Sequence, residues 1–220
     1  MYRKLPTVQT WFRLPSNSEV HSAMLNTSTL RGASMTPTEI RTTRLLLRAA
    51  QIGDLDAYFK WFSDPDVMKY EILSPHTNIK QTKYFLDEVI ESPYNGVLYF
   101  SVCIPDPAVS NNRRGRSKDR PPMIVIGRIA IRGEEEIEFM LDRQYWGKGF
   151  AFEMADALLK HFWATLPHDV VKADVDPRNE RSLRLLARLG FEVVGKAEKT
   201  FETHIGWCDS VYLEARRPVG

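Results

Sequence analysis

The longest regular run of apolar positions in the chain is Phe150, Met154, Ala157, Leu158 and Phe162. Steps of three and four residues place these side chains on one face of a helix. Leu55, Tyr58, Phe59 and Phe62 repeat the pattern, and Ser63-Asp-Pro65 ends that helix, because proline disfavours helical geometry in the residue before it. A further helix is predicted from Asn78 to Ser92, capped by Thr77 or Asn78, with Tyr84, Phe85 and Val89 inward. Arg178 to Arg188 reads as a helix with Leu183, Leu186 and Leu189 inward, closed by Gly190 as its C-cap. Strands are predicted at Thr43–Arg48, Gly96–Ile104, Met123–Ile131, Glu135–Leu141, Asp169–Val175, Phe191–Gly195 and Val211–Arg217. The glycine in Arg132-Gly-Glu134 supports a hairpin between two of them, and the run Glu134-Glu-Glu136 reads as its solvated turn. Strands and helices mixed in this way define a single α/β (α+β) domain.

Composition changes this picture only at two places. Residues 1–39 are rich in Ser and Thr, carry Arg3, Lys4, Arg13 and Arg31, and hold little acid beyond Glu19 and Glu39. They read as a flexible or docked N-terminal extension, with an organellar transit peptide as the alternative, so the domain proper spans 40–220. Residues 105–122 are polar and basic, with Arg113, Arg114, Arg116, Lys118 and Arg120, and read as a solvated loop insertion. The alternative is a contact surface for RNA, but no aromatic residue interleaves the arginines, which disfavours nucleic acid as a partner. At 220 residues and a formal net charge of +2, the chain is an ordinary globular protein that needs neither nucleic acid nor an anionic membrane. Cys103 and Cys208 fit no disulfide framework or metal pattern, so the expected setting is reducing and cytoplasmic, or mitochondrial if 1–39 is a transit peptide. No run approaches the ~18 apolar residues of a membrane span.

The candidate chemistry lies at the start of the long helix. Gln144-Tyr-Trp-Gly147-Lys-Gly149 leads from a predicted strand straight into Phe150 and Ala151. Glycines there let the backbone approach a ligand, and the unpaired N–H groups of a helix start suit a phosphate. Gly-x-Gly before a helix also arises for steric reasons alone. The fuller pattern, Gln-x-x-Gly-x-Gly after a strand ending Glu138-Phe-Met140-Leu141-Asp142, resembles the acyl-CoA pyrophosphate loop of the GNAT superfamily of N-acetyltransferases. The form Tyr145-Trp-Gly-Lys-Gly-Phe-Ala151 is most similar to the subgroup of ribosomal-protein N-terminal acetyltransferases. A second match follows at the expected distance, Asp176-Pro-Arg-Asn179-Glu-Arg-Ser182 running to Leu189-Gly-Phe191. The resemblance covers Thr42 to Arg217.

That resemblance implies a central, mostly antiparallel sheet flanked by helices, with two strands splayed to form an acyl-CoA cleft. It implies acetyl-CoA as co-substrate and no metal, with direct transfer of the acetyl group to a primary amine on a protein N-terminus or a small molecule, by a monomer or homodimer. A binding module that retains the acyl-CoA site without turnover is the alternative. By the same resemblance the N–H groups of Gln144, Gly147, Lys148, Gly149, Phe150 and Ala151 hold the pyrophosphate. Met140 and Leu141 pair with the pantetheine arm, the Met140 backbone facing the thioester, and Asn179 hydrogen-bonds that arm while also capping its helix. Arg184 and Arg188, four apart on one helix face, either meet the adenosine phosphates or stay solvated.

The reaction needs a polarised carbonyl, a deprotonated amine and a proton for the departing thiolate. No G-x-S-x-G motif supports an acyl-enzyme through serine. Many family members carry a tyrosine where this chain has Leu186, so the proton donor must be another group. Ser182, by likeness to the ribosomal-protein subgroup, and Tyr212 are the candidates. For the base the candidates are Glu202, in the region where the resembled ribosomal-protein subgroup places a carboxylate, Glu138 and His204, with Asp209 and Glu214 left open.

Overall fold

The computed structural model describes residues 39–91, 98–107, 122–133 and 135–218. The extension, up to residue 38, and the greater part of the basic insertion, 108–121, lie outside the described residues. Eight strands form one sheet: β1 (Glu39–Arg41), β2 (Leu46–Arg48), β3 (Leu98–Pro105), β4 (Met123–Arg132), β5 (Glu136–Leu141), β6 (Val170–Val175), β7 (Glu192–Thr203) and β8 (Gly206–Arg216). Their spatial order is β1-β2-β3-β4-β5-β6-β8-β7. Every pairing is antiparallel except β5 with β6, which is parallel. Among the described residues four α-helices flank the sheet: α1 (Leu55–Phe62), α2 (Ile79–Glu91), α3 (Phe150–Thr165) and α4 (Glu180–Arg188).

The two faces of the sheet carry separate cores. On one, Met154, Ala155, Leu158, Leu159 and Phe162 of α3 and Leu186 of α4 pack on Ile137, Leu141, Val171, Ala173 and Leu213. On the other, Tyr58, Trp61 and Phe62 of α1 and Leu86 of α2 pack with Met68 and Met140. Period-two alternation along β5 therefore divides its side chains: Ile137 and Leu141 go to the first core, and Glu136, Glu138 and Met140 face the second.

Three expectations shift. The strand predicted over Thr43–Arg48 shortens to Leu46–Arg48, because 42–45 form a turn (Thr42 N–H to Leu45 O, 3.0 Å) and Glu39–Arg41 forms a first strand before it. On α2, Tyr84 is 59% exposed, and Thr82 and Leu86 point inward instead. The Thr82 hydroxyl bonds the buried His76 ring at 2.8 Å, which sets the helix phase that side-chain polarity alone misreads. The strand expected over Phe191–Gly195 runs on to Thr203, since β8 pairs with it to the turn through two irregularities in register.

Candidate active site

The sheet splits between β5 and β6. Their register holds at one pair, Glu136 with Lys172, and the Lys172 N–H donates to Glu135 O at 2.9 Å. Beyond that point the two strands share no further pair and, among the described residues, leave backbone groups unpaired, which a ligand with amide groups of its own is suited to pair. The gap opens into a cleft of about 1990 Å³ that reaches both faces of the sheet. Its volume exceeds the ~300–1,000 Å³ of a common small-molecule pocket, leaving room for two reactants.

Met140 does not offer its backbone to this gap. The Asp142 N–H donates to Ile126 O (2.8 Å), and Met140 lies opposite Arg128 in the same register. Alternation along an antiparallel pair thus turns the even-numbered peptide groups of β5 toward β4 and those of Ile137, Phe139 and Leu141 toward β6. Leu141 O already accepts the Trp146 indole N–H at 2.7 Å, so Phe139 carries the open groups at the centre of the gap. The Met140 side chain is buried against α1.

At the mouth, Asp142 caps a 3-10 turn, Arg143–Tyr145, by accepting the Gln144 N–H at 3.1 Å. Gln144 Nε2 also donates to Asp142 (3.1 Å), as does Lys60 Nζ (2.6 Å), so Gln144 and its N–H are held within the loop. The N–H groups of Tyr145 and Trp146 go to the carbonyls of Asp142 and Arg143. Gly147 (φ +72°) and Gly149 (φ +81°) then take left-handed conformations that any side chain would strain. The first bond into α3 is from Glu153 N–H to Gly149 O, so the preceding amides of the first turn and the helix dipole face the cleft. Cations stand around them: Arg181 lies 4.9 Å from the Trp146 ring centre, Lys148 5.3 Å from that of Tyr145, and Arg188 4.7 Å from that of Phe152. Arg184 also lines the cleft, paired with Glu180 at 2.9 Å.

Across the gap, Asn179 caps α4 by accepting the Ser182 N–H at 3.3 Å. Ser182 and Leu186 line the cleft, and Leu186 is buried without a hydroxyl to offer. Tyr212, opposite Asp174 on β6, lines it as well. Of the expected bases, Glu138 is in the cleft and Glu202 is not: Glu202 is exposed near the β7–β8 turn, paired in register with Trp207. His204 is exposed in that turn, and Asp209 accepts the Lys199 N–H at 2.8 Å. Glu214 lines the cleft.

Glu138 is poorly suited to take a proton. Burial by itself would raise its pKa, but Arg128 (3.2 Å) and Arg132 hold it below the ordinary value. Arg128 is 4% exposed and lies between 5.8 and 6.0 Å from the ring centres of Phe62, Phe85 and Tyr99. Its further contact is Glu71 at 3.5 Å, whose carboxyl burial pushes up. Removing Glu138 leaves a buried guanidinium short of charge. Glu138→Gln is accordingly expected to cost about 2–4 kcal/mol at pH 7, measured by urea unfolding. The sign follows from a depressed folded pKa: the loss is complete at neutral pH and shrinks as pH falls through that pKa.

The groups that composition and spacing did not reveal are Glu136 and Asp174. Glu136 opens β5 with its side chain in the cleft, not in a solvated turn. Burial, and then the neighbouring Glu138 and Asp174, push its carboxyl up to about 7. Asp174 is pushed up to about 6, first by burial; its Oδ2 accepts the Ser210 hydroxyl at 2.9 Å and its Oδ1 is buried without a partner among the described residues. One signal in the sequence would have found Glu136, namely that it sits two residues from Glu138 and so shares its face. Asp174 carries no comparable local signal.

Comparison with known proteins agrees with this geometry. Residues 44–192 match the acetyltransferase (GNAT) domain family, and the chain belongs to that family of N-acetyltransferases. An uncharacterized N-acetyltransferase, p20, of Bacillus licheniformis is 29% identical over 179 residues, 78% of this chain and 92% of that one. A GNAT-family acetyltransferase structure from Bacillus anthracis superposes with a TM-score of 0.66 at 25% identity, covering 81% of this chain and 98% of that one. Two more distant structures share the fold. Ribosomal-protein-S5-alanine acetyltransferase from Vibrio fischeri has a TM-score of 0.64 at 20% identity, covering 83% and 100%. Spermidine N-acetyltransferase from Vibrio cholerae, in complex with CoA and spermine, has 0.62 at 19%, covering 80% and 96%. Among the described residues no helix is long and apolar enough to cross a membrane.

Proposed function

We propose that this protein transfers an acetyl group from acetyl-CoA directly to a primary amine, and that the split between β5 and β6 is where the reactants meet. One observation carries the reading: a single cleft joins the gap in the sheet to the glycine loop at the start of α3. The amides from Gly147 to Ala151, with Lys148, Arg181 and Arg188 beside them, hold the pyrophosphate. The Gln144 side chain braces the loop through Asp142. The pantetheine arm pairs with Phe139 and the Leu141 N–H on one side of the gap and with Asn179 on the other.

The amine enters from the α1–α2 face, where Glu71, Glu136 and Asp174 favour an ammonium ion. Glu136 takes its proton. A carboxyl near pH 7 combines a useful ionised fraction with enough basicity, which Glu138 lacks. The freed amine attacks the thioester carbon and the tetrahedral intermediate collapses with cleavage of the C–S bond. Ser182 or Tyr212 donates a proton to the departing thiolate and regains one from the nitrogen of the intermediate, so that Glu136 holds the single proton released overall. The acetylated amine and CoA are the products.

The acceptor is a protein N-terminus or a small polyamine; the Vibrio fischeri protein is named for an alanine of ribosomal protein S5 and the Vibrio cholerae protein for spermidine. A panel of N-terminal peptides and di- and polyamines, scored by free thiol release, distinguishes them. Thiol release that tracks amine acetylation one to one, with intersecting initial-rate patterns, is expected. Tight acetyl-CoA binding with no thiol release from any amine would favour the non-catalytic reading, for which the hydroxyl-free Leu186 is the supporting feature.

A further inference from the structure

The phosphate loop is held from outside the cleft by a contact between Arg44, about a hundred positions earlier in the chain, and the start of α3. Arg44, in the turn between β1 and β2, donates from Nη1 to Lys148 O at 2.9 Å, between the two left-handed glycines. Its guanidinium stacks 4.4 Å from the centre of the Phe150 ring, and a Cβ on Gly149 would meet Nη2 at 3.4 Å. Glu153, in the first turns of α3, anchors that guanidinium. Its Oε2 accepts Arg44 Nε at 2.6 Å, and its Oε1 accepts the Arg44 N–H at 2.9 Å and the Thr42 hydroxyl at 2.5 Å. None of Thr42, Arg44 and Glu153 lines the cleft.

The charges matter as much as the bonds. A carboxylate near the start of an anion-binding helix opposes the anion, since both compete for the same dipole and add repulsion. Burial would raise the Glu153 pKa, but the Thr42 hydroxyl and Arg44 hold it below the ordinary value, so it is ionised at pH 7. Arg44 cancels that charge and also fixes the Lys148 carbonyl away from the ligand, which turns the next amides toward it.

We propose that Arg44 and Glu153 form a positioning pair that sets the shape and charge of the phosphate loop, selecting donors that carry the CoA pyrophosphate. The inference rests on the acetyl-CoA reading above. Arg44 is the active member, and Glu153 holds it at the correct distance.

The test compares acetyl-CoA with S-acetylpantetheine, which has the same thioester but no pyrophosphate, in wild type, Arg44→Ala, Arg44→Lys and Arg44→Ala/Glu153→Ala. Arg44→Ala should lower kcat/KM for acetyl-CoA by about 10- to 100-fold, through KM, the range of a lost charge-assisted hydrogen bond. The value for S-acetylpantetheine should stay within about twofold. The double variant should recover part of the loss, because the uncompensated carboxylate is gone. Arg44→Lys should fall between wild type and alanine, since it keeps the charge without the fork. Equal losses with both donors would make Arg44 merely structural and overturn the proposal, as would no loss with either. A wild type that binds no CoA would refute the acetyl-CoA reading itself, which separates the two failures.

Discussion

Replacing Glu136 by glutamine is expected to lower kcat by about 10²–10⁴-fold, the usual contribution of a positioned general base. Wild-type kcat/KM should rise with pH and level off above about 7, where the Glu136 carboxyl titrates. In the variant that limb should disappear, because an amide cannot titrate. Binding of acetyl-CoA should be unchanged, since Glu136 lies at the closed end of the gap and the loop at its open end. Stability should move the opposite way to activity. The folded pKa is raised, so the native state binds more protons than the unfolded chain between the unfolded value of about 4.3 and about 7. Stability therefore falls as pH rises through that window. Glu136→Gln should be more stable than wild type at pH 8, by roughly 1–3 kcal/mol in urea unfolding, with the gain absent at pH 4. A variant that keeps its rate and its pH limb would place the base elsewhere, with Asp174 next in line.

The second large effect concerns the loop. Gly149→Glu should abolish measurable catalysis with acetyl-CoA while the protein stays folded. A side chain at φ +81° costs about 1–2 kcal/mol, and a domain of ordinary stability tolerates it. The carboxylate would stand among the amides that face the phosphates. Gly147→Ala is the companion. Its added Cβ meets no atom of the described residues within 4 Å, so beyond the strain of its positive φ its steric effect falls on the ligand. A smaller but clear rise in KM for acetyl-CoA, with melting temperature lowered by only a few degrees, is expected there. Unchanged KM in both variants would mean that the loop does not hold the phosphates.

How much of this was legible in the sequence depended on the range of the interactions involved. Helices α3 and α4 and the glycine loop follow from local patterns, because periodicity, caps and left-handed glycines are properties of neighbouring residues. Asn179 and Gly190 were readable for the same reason, as cap and C-cap. The backbone register of β5 was not, and so Met140, whose peptide groups turn toward β4, was read as facing the gap. Which peptide group faces a gap depends on pairing with β4, a contact between distant segments. Glu138 and Glu136 look alike in sequence, yet Arg128 and Arg132 lower one pKa while burial raises the other. Glu202 lies outside the cleft for a related reason, since the length of the β7–β8 hairpin carries it away. Arg44 and Glu153 lie 109 positions apart, and nothing local marks either as a partner of the loop.

The central claim is that the split sheet and its glycine loop hold acetyl-CoA. Calorimetric titration of the wild-type 220-residue protein with acetyl-CoA tests it most directly, with CoA and S-acetylpantetheine as second and third ligands. Saturable one-site binding in the micromolar range is predicted for acetyl-CoA and CoA, with much weaker binding of S-acetylpantetheine because it lacks the phosphates. The absence of heat with both acetyl-CoA and CoA, from protein shown to be folded, would contradict the account.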